Sequence, residues 1–187
     1  MSPISIAFVR KVLAGAAALL ISAAGTALAD ISAEYGGGRE QGRLEMITLF
    51  NRESTPDEWV TFQLHVGRIL RKKEIRLENE GASQEKIEKE GDETEILPLY
   101  GVDMAVGHSS LNPYILILLG ATQFDKLSHR IGTHSNFHLG LEFGSHGPRF
   151  GWFLRLHHWS NGKEATGAPG PNGAEEFGTF GLEWRWR

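Results

Sequence analysis

The sequence contains no cysteine, which excludes disulfide staples, thiolate metal sites and a lipid-anchored N-terminal cysteine. It has no surplus of positive charge: the formal net charge is −4, which argues against nucleic acid as a partner. Beyond residue 29 it has no apolar run long enough for a membrane-spanning helix. Instead it has 23 glycines, and aromatics make up 10% of 187 residues. That mixture suits one β-domain with many turns better than a helical bundle.

The first 29 residues read as a secretory signal peptide. Arg10 and Lys11 form the positive start, residues 12–28 an alanine-rich apolar stretch, and Ala27-Leu28-Ala29 a small-x-small cleavage site before Asp30. An uncleaved anchor is the other reading, and the weak hydrophobicity of alanine and glycine speaks against it.

The rest alternates between strand-like and turn-like stretches. Strands are expected at 31–38, 44–51, 59–70, 101–109, 114–124, 136–144, 150–160 and 176–186. Eight strands suffice for a small closed antiparallel barrel, and roughly 9–11 tilted residues cross a bilayer. Turns at 53–57, 110–112 and 145–148 are short, whereas connections at 71–97, 125–135 and 161–175 are longer, the pattern of outer-membrane barrels. The stretch 71–95 is crowded with Lys, Glu and Asp, lacks an apolar face and is expected to be a solvated loop.

Side-chain parity supports the barrel. Phe180, Leu182, Trp184 and Trp186 share one face, opposite Gly181, Glu183 and Arg185; Trp152, Leu154 and Leu156 share a face opposite Phe153, Arg155 and His157. Apolar-out and polar-in is the membrane pattern, whereas a soluble lipocalin-like carrier would turn Trp152, Leu154 and Leu156 into a cavity. Export, strand length and the paired tryptophans, suited to an aromatic girdle, favour the membrane.

On that expected lipid face sit His158 and Ser160, two residues apart and so on the same side of a strand. A serine nucleophile needs a base, and the base an orienting carboxylate. Across the last hairpin, Glu176 has the lipid-facing parity; Glu175 has the opposite one and points inward unless a bulge intervenes. His157 is expected in the lumen, paired with Glu or Arg, and His134-Ser135-Asn136 reads as a loop and strand start. No histidine forms an i, i+4 helical pair beside an acidic cluster, and His157 and His158 point apart, so no metal site is expected.

His158-Trp159-Ser160-Asn161, followed by Pro171-Asn172-Gly173 and Glu176, resembles the lipid A 3-O-deacylases, the PagL family. Pro113-Tyr114 and Gly140-Leu141-Glu142-Phe143-Gly144 extend the resemblance loosely over the barrel. It implies an eight-stranded outer-membrane barrel that hydrolyses the ester-linked acyl chain at the 3-position of lipid A, without cofactor. By motif position, Ser160 is the nucleophile, His158 the base and Glu176 the acid of the triad, with Asn161 and Asn172 supporting the oxyanion. Lipid A, or the lipopolysaccharide carrying it, is then the partner, and a homodimer is left open. A non-enzymatic small barrel, serving adhesion or membrane integrity, is the alternative.

Overall fold

Eight antiparallel strands, each paired with its sequence neighbour, close on themselves when β1 pairs with β8. The computed structural model describes residues 30–38, 42–50, 60–77, 87–108, 111–127, 130, 132–162 and 173–186. The expected signal peptide lies outside the described residues. The strands are β1 (Asp30–Gly38), β2 (Arg43–Phe50), β3 (Val60–Leu77), β4 (Ile87–Val106), β5 (Tyr114–Phe124), β6 (Ser135–His146), β7 (Phe150–Ser160) and β8 (Glu175–Trp184). No helix is present among the described residues.

The stretch at 71–95 departs from expectation. Much of it is strand: β3 runs to Leu77, β4 starts at Ile87, and the two stay paired from Arg71↔Glu95 to Leu77↔Ile87, with a register shift between Lys72 and Glu74. β2 pairs with β3 only as far as Leu70, and β5 with β4 only from Leu99, so the extra length is a two-stranded ribbon beyond the barrel rim. Backbone pairing there requires no apolar face, which is why its charged composition reads as a loop. Of the expected fourth strand at 101–109, residues 101–106 are correspondingly the last part of β4.

Alternation decides what faces where. Trp152, Leu154 and Leu156 are 39%, 50% and 60% exposed, whereas Phe153, Arg155 and His157 between and beside them are 1–2% exposed. The apolar row therefore faces outward, and the lipocalin-like arrangement is excluded. Ile115, Ile117, Leu119, Leu139, Leu141 and Leu182 continue this outer apolar surface around neighbouring strands. Such a surface is far too extensive for a protein surrounded by water.

The lumen is filled rather than open. At the end where β7 finishes, Leu44, Ile69, Leu97, Phe124, Trp159 and Phe177 form an apolar plug. Below it the packing is polar: Arg155 donates to Glu34 at 2.5 Å and to Glu142, and Tyr114 Oη donates to Glu142 at 2.9 Å. Buried charges persist only when paired and hydrogen-bonded in this way.

Candidate active site

The register of the last hairpin brings His158 directly opposite Glu176, and Trp159 opposite Glu175. The first pair lies on the outer wall, with His158 Nδ1 3.3 Å from Glu176 Oε1. A proton on Nδ1 shared with that carboxylate leaves Nε2 with its lone pair, the tautomer a general base needs. Such contacts are commonly loose without substrate and tighten when it binds. Ser160 is half-buried on the same outer face, about 6.8 Å of strand rise beyond His158, and lies opposite Phe137 of β6.

Glu175 turns inward, as its parity requires. It is 4% exposed and accepts from Arg71 Nη1 at 2.5 Å. Arg71 also donates to Glu95 at 3.2 Å. Asn161 is buried immediately after Ser160, at 4% exposure. Asn172 lies outside the described residues.

Trp159, the residue between His158 and Ser160, fixes their direction. Its side chain is fully buried, its ring stacks on His138 and His157 with centroids 4.9 Å away in each case, and its Nε1 donates to Thr122 Oγ1 at 2.9 Å. Because neighbours on a strand point to opposite sides, an anchored Trp159 obliges His158 and Ser160 to face out.

Arg130, in the β5–β6 connection, braces the start of β8. It donates through Nε to Ala174 O at 3.0 Å and through Nη2 to Gly173 O at 2.5 Å, and its own carbonyl accepts from Gly173 N at 2.7 Å. Ala174 has φ 49°, a left-handed conformation costly for a residue with a Cβ. The Arg130 contacts hold that turn just before Glu175 and Glu176. Nothing in the sequence singles out this loop arginine.

Beside the His158–Glu176 pair the outer wall is hollowed. Gly37, Gly178 and Leu156 are consecutive cross-strand partners, so two of three outward positions carry no side chain. A Cβ at Gly178 would meet only Leu156 Cδ2, at 3.7 Å. The resulting cleft of about 560 Å³ is walled by Leu139, Leu141, Leu156, His158 and Glu176. An apolar trough ending on a histidine–carboxylate pair is shaped for a hydrocarbon chain with an ester near one end.

No protein-family profile matches the sequence, and no curated protein matches it. Among solved structures, the chain is similar to one described as "Crystal structure of the outer membrane enzyme PagL". The TM-score is 0.54, at 17% identity, covering 84% of this chain and 99% of that one. At that identity the likeness is one of fold: this chain shares its barrel architecture with an outer-membrane enzyme.

Proposed function

We propose that this chain is a lipid A 3-O-deacylase working from the outer wall of a barrel in the bacterial outer membrane, exported by a signal peptide at residues 1–29. The observation that carries the reading is the His158–Glu176 pair, 3.3 Å apart on the apolar outer surface and sharing its face with Ser160. Polar and ionisable groups facing lipid are costly, and a purely structural barrel gains nothing from them.

Residue roles are assigned by motif position, and the shared outer face of His158, Ser160 and Glu176 supports them. Ser160 Oγ attacks the ester carbonyl while His158 Nε2 takes its proton, and Glu176 orients and stabilises the imidazolium. The tetrahedral oxyanion collapses, and the lipid A hydroxyl leaves with the proton from His158. Water, activated by the same histidine, then releases the fatty acid and restores Ser160. Asn161 and Asn172 are assigned to oxyanion support, and no cofactor enters any step. With the mature N-terminus on the periplasmic side, odd-numbered strands run outward and β7 ends in the leaflet that holds lipid A. The substrate then arrives sideways, and its acyl chain lies in the Gly37–Gly178 trough.

The test is mass spectrometry of lipid A from cells expressing the wild type, Ser160→Ala, His158→Asn and the double variant, with heat-modifiable gel mobility reporting folding. Each single variant is expected to lose about 10³-fold or more in deacylation, and the double variant little beyond that, because the residues act as a unit. A folded Ser160→Ala barrel that deacylates at the wild-type rate would remove the esterase and leave a non-enzymatic barrel.

A further inference from the structure

Away from the outer wall, β3, β4 and β6 each send one ligand-type side chain into the lumen: His65, Asp103 and His138. His138 Nδ1 is 2.7 Å from Asp103 Oδ1, and His65 Nδ1 is 3.0 Å from Asp103 Oδ2. The ligand atoms of all three lie within 4.8 Å of one another. Glycine makes the room. Gly120 of β5 stands opposite both Asp103 and His138, and Gly101 stands opposite His65. A Cβ at Gly120 would collide with the Asp103 carboxylate, and one at Gly101 would lie 2.5 Å from the His65 ring.

Two further observations concern hydrogen bonds and charge. His65 Nδ1 and Asp103 Oδ2, both buried, face each other 3.0 Å apart as an ion pair without a well-aligned hydrogen bond. A cation held between the ring nitrogen's lone pair and that carboxylate would satisfy both. The connected lumen network also holds three carboxylates, Glu34, Asp103 and Glu142, against one guanidinium, Arg155. A divalent cation would remove that excess.

We infer that His65, Asp103 and His138 form a buried three-ligand site for a divalent transition metal of the Zn²⁺ class, with a water as the fourth tetrahedral ligand. Two imidazoles and a carboxylate are a borderline donor set that suits zinc rather than calcium or magnesium. With both Nδ1 atoms on the metal, each outer ring nitrogen carries a proton. His65 Nε2 then donates to Thr122 at 3.0 Å, and His138 Nε2 to His157 Nδ1 at 3.0 Å. His157 Nε2 donates in turn to Glu34 at 2.9 Å. Every imidazole is neutral in this arrangement, and each metal-bound ring has the outer hydrogen bond that metal-ligating histidines need. Metal–ligand bonds of about 2.0–2.1 Å ask the three groups to open slightly, to tetrahedral separations of about 3.3 Å. The metal ties three strands together behind the wall that carries Ser160, and it takes no part in the esterase chemistry.

The experiment refolds the full barrel in detergent with Zn²⁺, removes free metal by gel filtration and measures bound metal by elemental mass spectrometry. Wild type should retain about one equivalent and unfold at higher temperature than the metal-free barrel, as a site present only in the fold requires. Asp103→Asn and His138→Gln should retain less than about a tenth of an equivalent. His158→Asn should retain the full equivalent, which separates this site from the outer-wall histidine whatever the fate of the esterase reading. A folded wild-type barrel that holds no metal, or a His158→Asn barrel that loses it, would overturn the assignment.

Discussion

At the scale of single residues, the two adjacent glutamates that open β8 have opposite environments. Glu176 is on the outer wall against His158, whereas Glu175 is buried against Arg71. Two different losses are therefore expected. Glu176→Ala should lower deacylation strongly and leave the unfolding midpoint unchanged, because the pair it breaks is partly exposed. Glu175→Ala should leave the active-site pair intact but cost up to about 3 kcal/mol of stability, the low end for unpairing a buried charge. Glu95 still meets Arg71 and limits that loss. Denaturant titration beside lipid A analysis reads both quantities, and the reverse ranking would place Glu175 with His158. This distinction was legible in the sequence, since parity along a strand depends only on counting by two. The bracing of Ala174 by Arg130 was not legible, because it depends on where one loop rests against another.

At the scale of elements, the β7–β8 hairpin does two jobs with its two faces. Its inner face anchors Trp159 and Arg155 in the lumen, and its outer face carries His158, Ser160, Glu176 and the trough at Gly178. Filling the trough should therefore impair substrate placement without unfolding the barrel. Gly178→Trp is expected to lower deacylation on the order of tenfold or more through misplaced substrate, with normal heat-modifiable mobility. Gly181→Ala, three residues further along β8 and inward, would drive a methyl into the Phe153 ring. It should cost about 1–3 kcal/mol by overpacking and spare the outer wall. A Gly178→Trp barrel with undiminished activity would show that the acyl chain lies elsewhere. The bounds of β5 and β7 agree with the strands expected at 114–124 and 150–160, where apolar alternation is cleanest. The β3–β4 ribbon was not legible in the sequence, because a run of charges says nothing about whether two segments pair through their backbones.

At the scale of the whole molecule, an interior that buries ion pairs between apolar clusters, wrapped in an apolar exterior, inverts the arrangement of a water-soluble barrel. The environment that matches it is a bilayer, and the proposed site requires the one that contains lipid A. The mature chain should begin at Asp30 and co-fractionate with outer membranes, with N-terminal sequencing and density-gradient separation as the measurements. Recovery in the soluble periplasmic fraction at ordinary expression would contradict the assignment.

The sequence by itself determined the class of the fold, the outward face of each clean strand, and the placing of His158, Ser160 and Glu176 on one side. All of these follow from the two-residue period of a strand and the composition of its turns, which are local properties. Only the tertiary structure decided which residues meet across strands. The His158–Glu176 distance, the Trp159 stack, the Arg155 ion pairs and the His65–Asp103–His138 cluster all depend on register and barrel closure. Asp103 and His138 are 35 positions apart, and Glu34 and His157 are 123 apart. No local pattern encodes such a meeting. It is set when eight strands find the stagger that closes the barrel.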